Sequence, residues 1–118
     1  MMVASRQLLR SPDLRQLRSD LDLSRERMAR LLDVSAKTVE RWETSDRLPA
    51  SARQRQDLAQ LGEIATLGRT IFTPAGFIRF LNAPLPVFGG DTALQMIARG
   101  RSGDVLASLA GDYEGSGY

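Results

Sequence analysis

Lys37 and Arg41 stand four residues apart in the stretch DVSAKTVERWE, residues 33–43, and Thr44 follows three residues later. On a helix the spacing i, i+4, i+7 places all three on one face. The result is a row of cationic and hydroxyl donors, which suits a polyanion rich in acceptors. Arg41 and Lys37 are candidate donors to guanine O6 and N7. Ala36 can touch a thymine methyl, and Thr38 and Thr44 can reach a base or a phosphate. Glu40 has two readings: it accepts from cytosine N4, or it repels phosphate and sharpens the choice. Val39 and Trp42, the chain's one tryptophan, lie on the opposite face and point to a core.

Other chemistries are poorly provided for. The 118 residues include no cysteine and no histidine, which excludes disulfides, Cys/His zinc sites, thiol nucleophiles and Ser-His-Asp triads. Gly89-Gly90 has no following Lys or Ser in the frame of a phosphate loop. Asp91, Asp104, Asp112 and Glu114 are scattered over helix starts and the tail, as caps and solvated charge rather than paired catalytic carboxylates. No enzyme activity, cofactor or metal is expected. No charge-free apolar run reaches about 18 residues, and the start is too weakly apolar for a signal peptide, so a cytoplasmic protein away from membranes is expected. Charge is uneven: residues 1–56 carry 12 Arg and Lys against 8 Asp and Glu, while residues 57–118 carry 4 against 6. A basic front half fits a polyanion partner, although an arginine-rich solvated surface would look the same.

These side chains must be held by helices, since alternating apolar patterns are rare. Ser11-Pro12-Asp13 predicts a helix start, with Leu14, Leu17 and Leu21 on one face. Ser24 caps the next helix, with Met28, Leu31 and Leu32 inward. Ser35 caps a third. Leu23 with Met28, and Val34 with Val39, take the positions of hydrophobic staples. After the break at Leu48-Pro49, Ser51-x-x-Gln54 opens a long helix with Leu58, Leu61, Ala65, Gly68 and Phe72 on one stripe. Thr73-Pro74 opens another, carrying Phe77, Ile78 and Leu81. APLPVFGG, 83–90, reads as a loop without regular structure. Asp91 and Ser102 are expected to cap two final helices, and GDYEGSGY a flexible tail. The fold class is therefore all-α. Residues 1–11 form an N-terminal extension, 12–72 a first domain with the long connecting helix, and 73–118 a second.

About three residues, Asp33 to Ser35, separate the second and third helices, which makes a helix-turn-helix unit. Ala29 is small where the pair must cross, and Asp33 tolerates the positive φ the turn needs. MARLLDVSAKTVERWETSDRLP resembles the helix-turn-helix of Xre-type, lambda-repressor-like regulators, with Asp33 in place of the usual glycine. The likeness runs from about Leu14 to Leu67. It implies a DNA-binding bundle whose second helix of the pair enters the major groove. Ser24 and Arg25 at the start of the pair, and Arg47 just past it, suit phosphates. One such module is small, so a homodimer on a palindromic promoter operator is expected.

Residues 77–115 carry a second pattern: Phe80-Leu81, Pro84-Leu85, Phe88-Gly89-Gly90, Thr92 and Leu94, then Gly103, Val105, Leu109 and Gly115. This resembles the C-terminal toxin-binding domain of Xre/MbcA/ParS-like antitoxins from RES–Xre toxin–antitoxin systems. Phe80 stands where tryptophan is usual, and Ala93 where proline is usual. The resemblance implies a partner, a RES-domain toxin that consumes NAD, whose cleft is covered by the antitoxin's C-terminal end. That end is Asp112, Tyr113, Glu114, Gly115, Ser116, Gly117 and Tyr118. Two tyrosines can anchor an interface, and the carboxylates can meet groups that otherwise hold phosphates. The alternative is a stand-alone Xre-type regulator whose C-terminal domain only oligomerises.

Overall fold

The computed structural model describes residues 11–45 and 49–115, with the backbone alone for 11–13, 114 and 115. Among the described residues all the regular structure is helical. In chain order the helices are α1 (Ser11–Asp20), α2 (Arg25–Leu32), α3 (Ala36–Thr44), α4 (Ala52–Ile71), α5 (Pro74–Asn82), α6 (Ala93–Ala98) and α7 (Ser102–Gly115). A 3-10 turn, Pro86–Phe88, lies between α5 and α6.

Local chemistry accounts for most helix starts. The hydroxyls of Ser24, Ser35, Ser51 and Thr73 accept from the backbone N–H three residues on, at 3.0–3.3 Å. Each satisfies a donor the helix cannot, typically worth about 1 kcal/mol. Pro74 fills the first turn of α5, where no N–H is needed. Asp91 was expected to cap α6, but Thr92 does: its hydroxyl accepts from Gln95 N and the Gln95 side chain accepts from Thr92 N, a full capping box. Asp91 instead pairs with Arg99. Ser102 is the first residue of α7 and is buried, rather than standing outside it as a cap.

Two further expectations change. The 83–90 segment is not wholly irregular. Phe88 N bonds Leu85 O, Gly90 N bonds Leu85 O, and Leu85 N bonds Asp91 O at 2.9–3.0 Å, which folds it into a closed turn with Gly89 and Gly90 at positive φ. Nor is GDYEGSGY a tail from its first residue, because α7 continues to Gly115.

The buried side chains form one contiguous cluster. Leu14 and Leu17 of α1, Leu21 just beyond it, Met28 and Ala29 of α2, and Val39 and Trp42 of α3 are all buried, with α1 and α2 each packed against α3. The long α4 supplies Leu58, Leu61, Ile64 and Ala65, and α7 lies along it with Val105 and Leu109 fully buried. Phe77 and Leu81 of α5, Phe88, and Ala93, Met96 and Ile97 of α6 complete the core. Phe80 stacks on Phe72, with centroids 5.3 Å apart, and meets Phe88 edge-on at 6.4 Å.

Candidate functional site

The α2–α3 pair has the geometry its sequence requires. Asp33 ends α2 in the left-handed conformation, φ 58° and ψ 48°. Asp33 N donates to Arg30 O at 3.3 Å and Val34 N to Ala29 O at 2.9 Å, so the chain reverses within the turn. Ala29 is buried where the helices cross, and Val39 and Trp42 close the inner face. On the outer face Lys37, Glu40, Arg41 and Thr44 are exposed, and Ala36 and Thr38 half-exposed. The expected row of donors is therefore presented to solvent.

Its members differ in freedom. Lys37 has no ion pair among the described residues. Among the described residues the Arg41 side chain makes one long contact, to Thr38 Oγ1 at 3.4 Å. The Thr38 hydroxyl lies 2.8 Å from Ser35 Oγ, and the Thr44 hydroxyl donates to Glu40 O at 3.0 Å. Ser24 is the exposed cap of α2. Arg47 lies outside the described residues.

The inner face of α3 holds a group that sequence reasoning passed over. Glu43 is only 4% exposed. Arg18 Nε donates to its Oε2 at 2.6 Å and Arg18 Nη2 to its Oε1 at 3.3 Å. Arg25 Nε donates to Oε1 at 3.0 Å, and Arg15 Nε stands 4.0 Å from the same oxygen. Arg18 Nη1 also donates to Leu23 O. Arg25, expected to be a free phosphate donor, thus has its Nε engaged by a carboxylate. Burial pushes the Glu43 carboxyl up, but the hydrogen bonds and charges of Arg18 and Arg25 outweigh burial and hold it below the usual carboxylate range. The hydrogen bond to Glu43 likewise raises the Arg18 guanidinium, against the cost of its own burial. A signal did exist: Val39, Trp42 and Glu43 are spaced i, i+3, i+4, which is one buried stripe.

At the other end, Asp112 and Tyr113 are exposed on the last turns of α7, Tyr113 by 52%. Only the backbone of Glu114 and Gly115 is described, and Ser116, Gly117 and Tyr118 lie outside the described residues. Among the described residues no group of three or more acidic side chains is placed to hold a metal, and no helix is long and apolar enough to cross a membrane.

An all-α chain with a helix-turn-helix pair, a basic outer face and a helical C-terminal layer is the class of protein these features define. No protein-family model matches the sequence, and no curated protein matches it. A solved structure does share the fold. A chain of the crystal structure of the M. tuberculosis MbcT-MbcA toxin-antitoxin complex superposes with a TM-score of 0.74 at 19% identity, covering 89% of this chain and 94% of that one.

Proposed function

We propose that this chain is an antitoxin that binds DNA through residues 12–72 and neutralises a RES-domain, NAD-consuming toxin through residues 73–118. The observation that carries this reading is the fold shared with a chain of a toxin–antitoxin complex over nearly the whole of both. Two features support its halves. Lys37 and Arg41 face solvent on a helix held by a tight turn, the presentation needed for base edges in a major groove. Asp112 and Tyr113 project from α7, offering an acid and an aromatic anchor beside the segment 114–118 that would cover the toxin's cleft. In this reading the chain is a cytoplasmic homodimer that represses its own operon at a palindromic operator.

Bacterial growth tests it. The neighbouring reading frame is expressed alone, with the full chain, and with a chain lacking residues 112–118. Arrest rescued by the full chain but not by the shortened one, with promoter binding retained by both, is expected. Absence of arrest, or rescue by the shortened chain, returns residues 73–118 to oligomerisation in a stand-alone regulator.

A further inference from the structure

We propose that the open pocket between α2 and α6 receives the acidic end of α7 from a second copy of this chain, so that the segment offered to a toxin is held by the homodimer partner until a toxin takes it. The proposal rests on the homodimer of the reading above and names its interface.

The pocket, of about 320 Å³, lies on the seam where the helix-turn-helix pair meets the C-terminal half. Its floor is apolar: Leu23 is buried, Leu31 and Leu94 are half-buried, and Ala98 lies beside them. Its rim offers donors alone. Arg27 and Arg30 stand at spacing i, i+3 on the exposed face of α2, and neither side chain has an ion pair or hydrogen bond among the described residues. Gln95 Oε1 already accepts from Thr92 N, which leaves the amide N–H groups of that side chain. No acid is among the described residues that line the pocket. Other arginines are matched within the chain: Arg18 and Arg25 by Glu43, Arg69 by Asp20, Arg99 by Asp91 and Arg101 by Asp104. An occupant of the seam pocket must therefore bring carboxylates on an apolar body.

The end of α7 has that composition. Residues 102–118 include three acids, Asp104, Asp112 and Glu114, and no Lys or Arg. Asp112 is exposed, and Tyr113 is 52% exposed, one of the exposed large hydrophobic side chains of the described residues. The Tyr113 ring suits the leucine floor, and Asp112 and Glu114, its neighbours in sequence, suit the two guanidinium groups.

A chain's own Tyr113 is out of reach. α7 begins at Ser102, which lines an adjoining cavity together with Ala98 of the pocket. At about 1.5 Å per residue Tyr113 stands about 16 Å along the axis from Ser102, too far for a helical side chain to turn back. A two-fold axis supplies the contact twice, each α7 end in the other copy's pocket. A toxin then competes with the pocket for the same Asp112 and Tyr113.

Sedimentation equilibrium of the full chain over a concentration series reads this as the Kd of the homodimer. The reversal R27D/R30D should weaken the homodimer by at least about 10-fold, because two exposed ion pairs in each of two contacts give way to repulsion. D112R/E114R should weaken it as much. The four substitutions together should return Kd to within about threefold of wild type, a recovery that damage to folding cannot produce. An unchanged Kd in either reversal, or no recovery in the combined chain, overturns the proposal. So does an R27D/R30D chain that keeps its homodimer but no longer rescues growth, which would assign the pocket to the toxin. A wild-type chain that stays monomeric removes the homodimer reading itself, whereas a homodimer that ignores these substitutions removes this interface alone.

Discussion

Gly62 and Gly68 lie six residues apart in α4, and the same substitution should move stability in opposite directions at the two sites. A Cβ added at Gly68 would stand 2.2 Å from Phe77 Cε1, 2.5 Å from Cδ1 and 2.7 Å from Cζ. Carbon atoms settle at about 3.5 Å or more, so the ring would have to retreat by over about 1 Å. Phe77 is fully buried, and its retreat must push on packed neighbours. Overpacking of this kind costs about 1–3 kcal/mol, and a displaced ring pushes toward the upper end. Alanine returns about 1 kcal/mol through its helix propensity. The net expectation for Gly68→Ala is a loss of about 2 kcal/mol, or about 8 °C in Tm for a domain of this size. Gly62 has nothing within 4 Å of an added Cβ, so Gly62→Ala keeps only the propensity gain, about 0.5–1 kcal/mol. Thermal melts followed by circular dichroism should therefore separate the two variants by about 10 °C. Adding Phe77→Leu, which removes the ring, should recover at least about 1 kcal/mol of the Gly68→Ala loss in a double-mutant cycle. A Gly68→Ala chain melting at or above wild type, or a cycle with no coupling, would refute the claim that the α4–α5 contact requires glycine.

Two further outcomes are expected. Arg41→Ala should weaken promoter binding by about 1–3 kcal/mol and relax selectivity at one base position, read by binding to a set of single-base variants of the duplex; equal binding to all of them would remove Arg41 from base recognition. Stability should also fall in acid. The Glu43 carboxyl is held below its ordinary value of 4.5 in the folded chain, so the unfolded chain binds the proton more readily. The contribution is complete above the unfolded value and is lost as pH falls below it toward the folded one. Melts between about pH 3 and 7 should show a shallower acid decline for Glu43→Gln than for wild type.

What could be read from the sequence was local. Helix positions followed from apolar spacing, as with Leu14, Leu17 and Leu21, or Leu58, Leu61 and Ala65, all buried as expected. Caps followed from hydroxyls just ahead of those runs, and Ser24, Ser35, Ser51 and Thr73 act as such. The errors were local competitions of nearly equal strength. Asp91 and Thr92 are both good caps, and Thr92 prevails because Gln95 stands three residues on and reciprocates. The small residues of the tail predict flexibility from Gly111 on, yet α7 continues through Gly111 to Gly115. Docking of Val105 and Leu109 against α4 stabilises a helix that propensity alone would leave weak.

The sequence by itself therefore determined the all-α class, the turn at Asp33 and the outward face bearing Lys37 and Arg41, because each depends on residues within two helical turns of one another. Tertiary structure alone decided that Glu43 gathers Arg18 from 25 residues away and Arg25 from 18, and that Gly68 makes room for Phe77. Such partners are chosen by how helices cross. A buried carboxylate takes whichever guanidinium the packing brings within reach, and spacing along the chain carries no record of that distance.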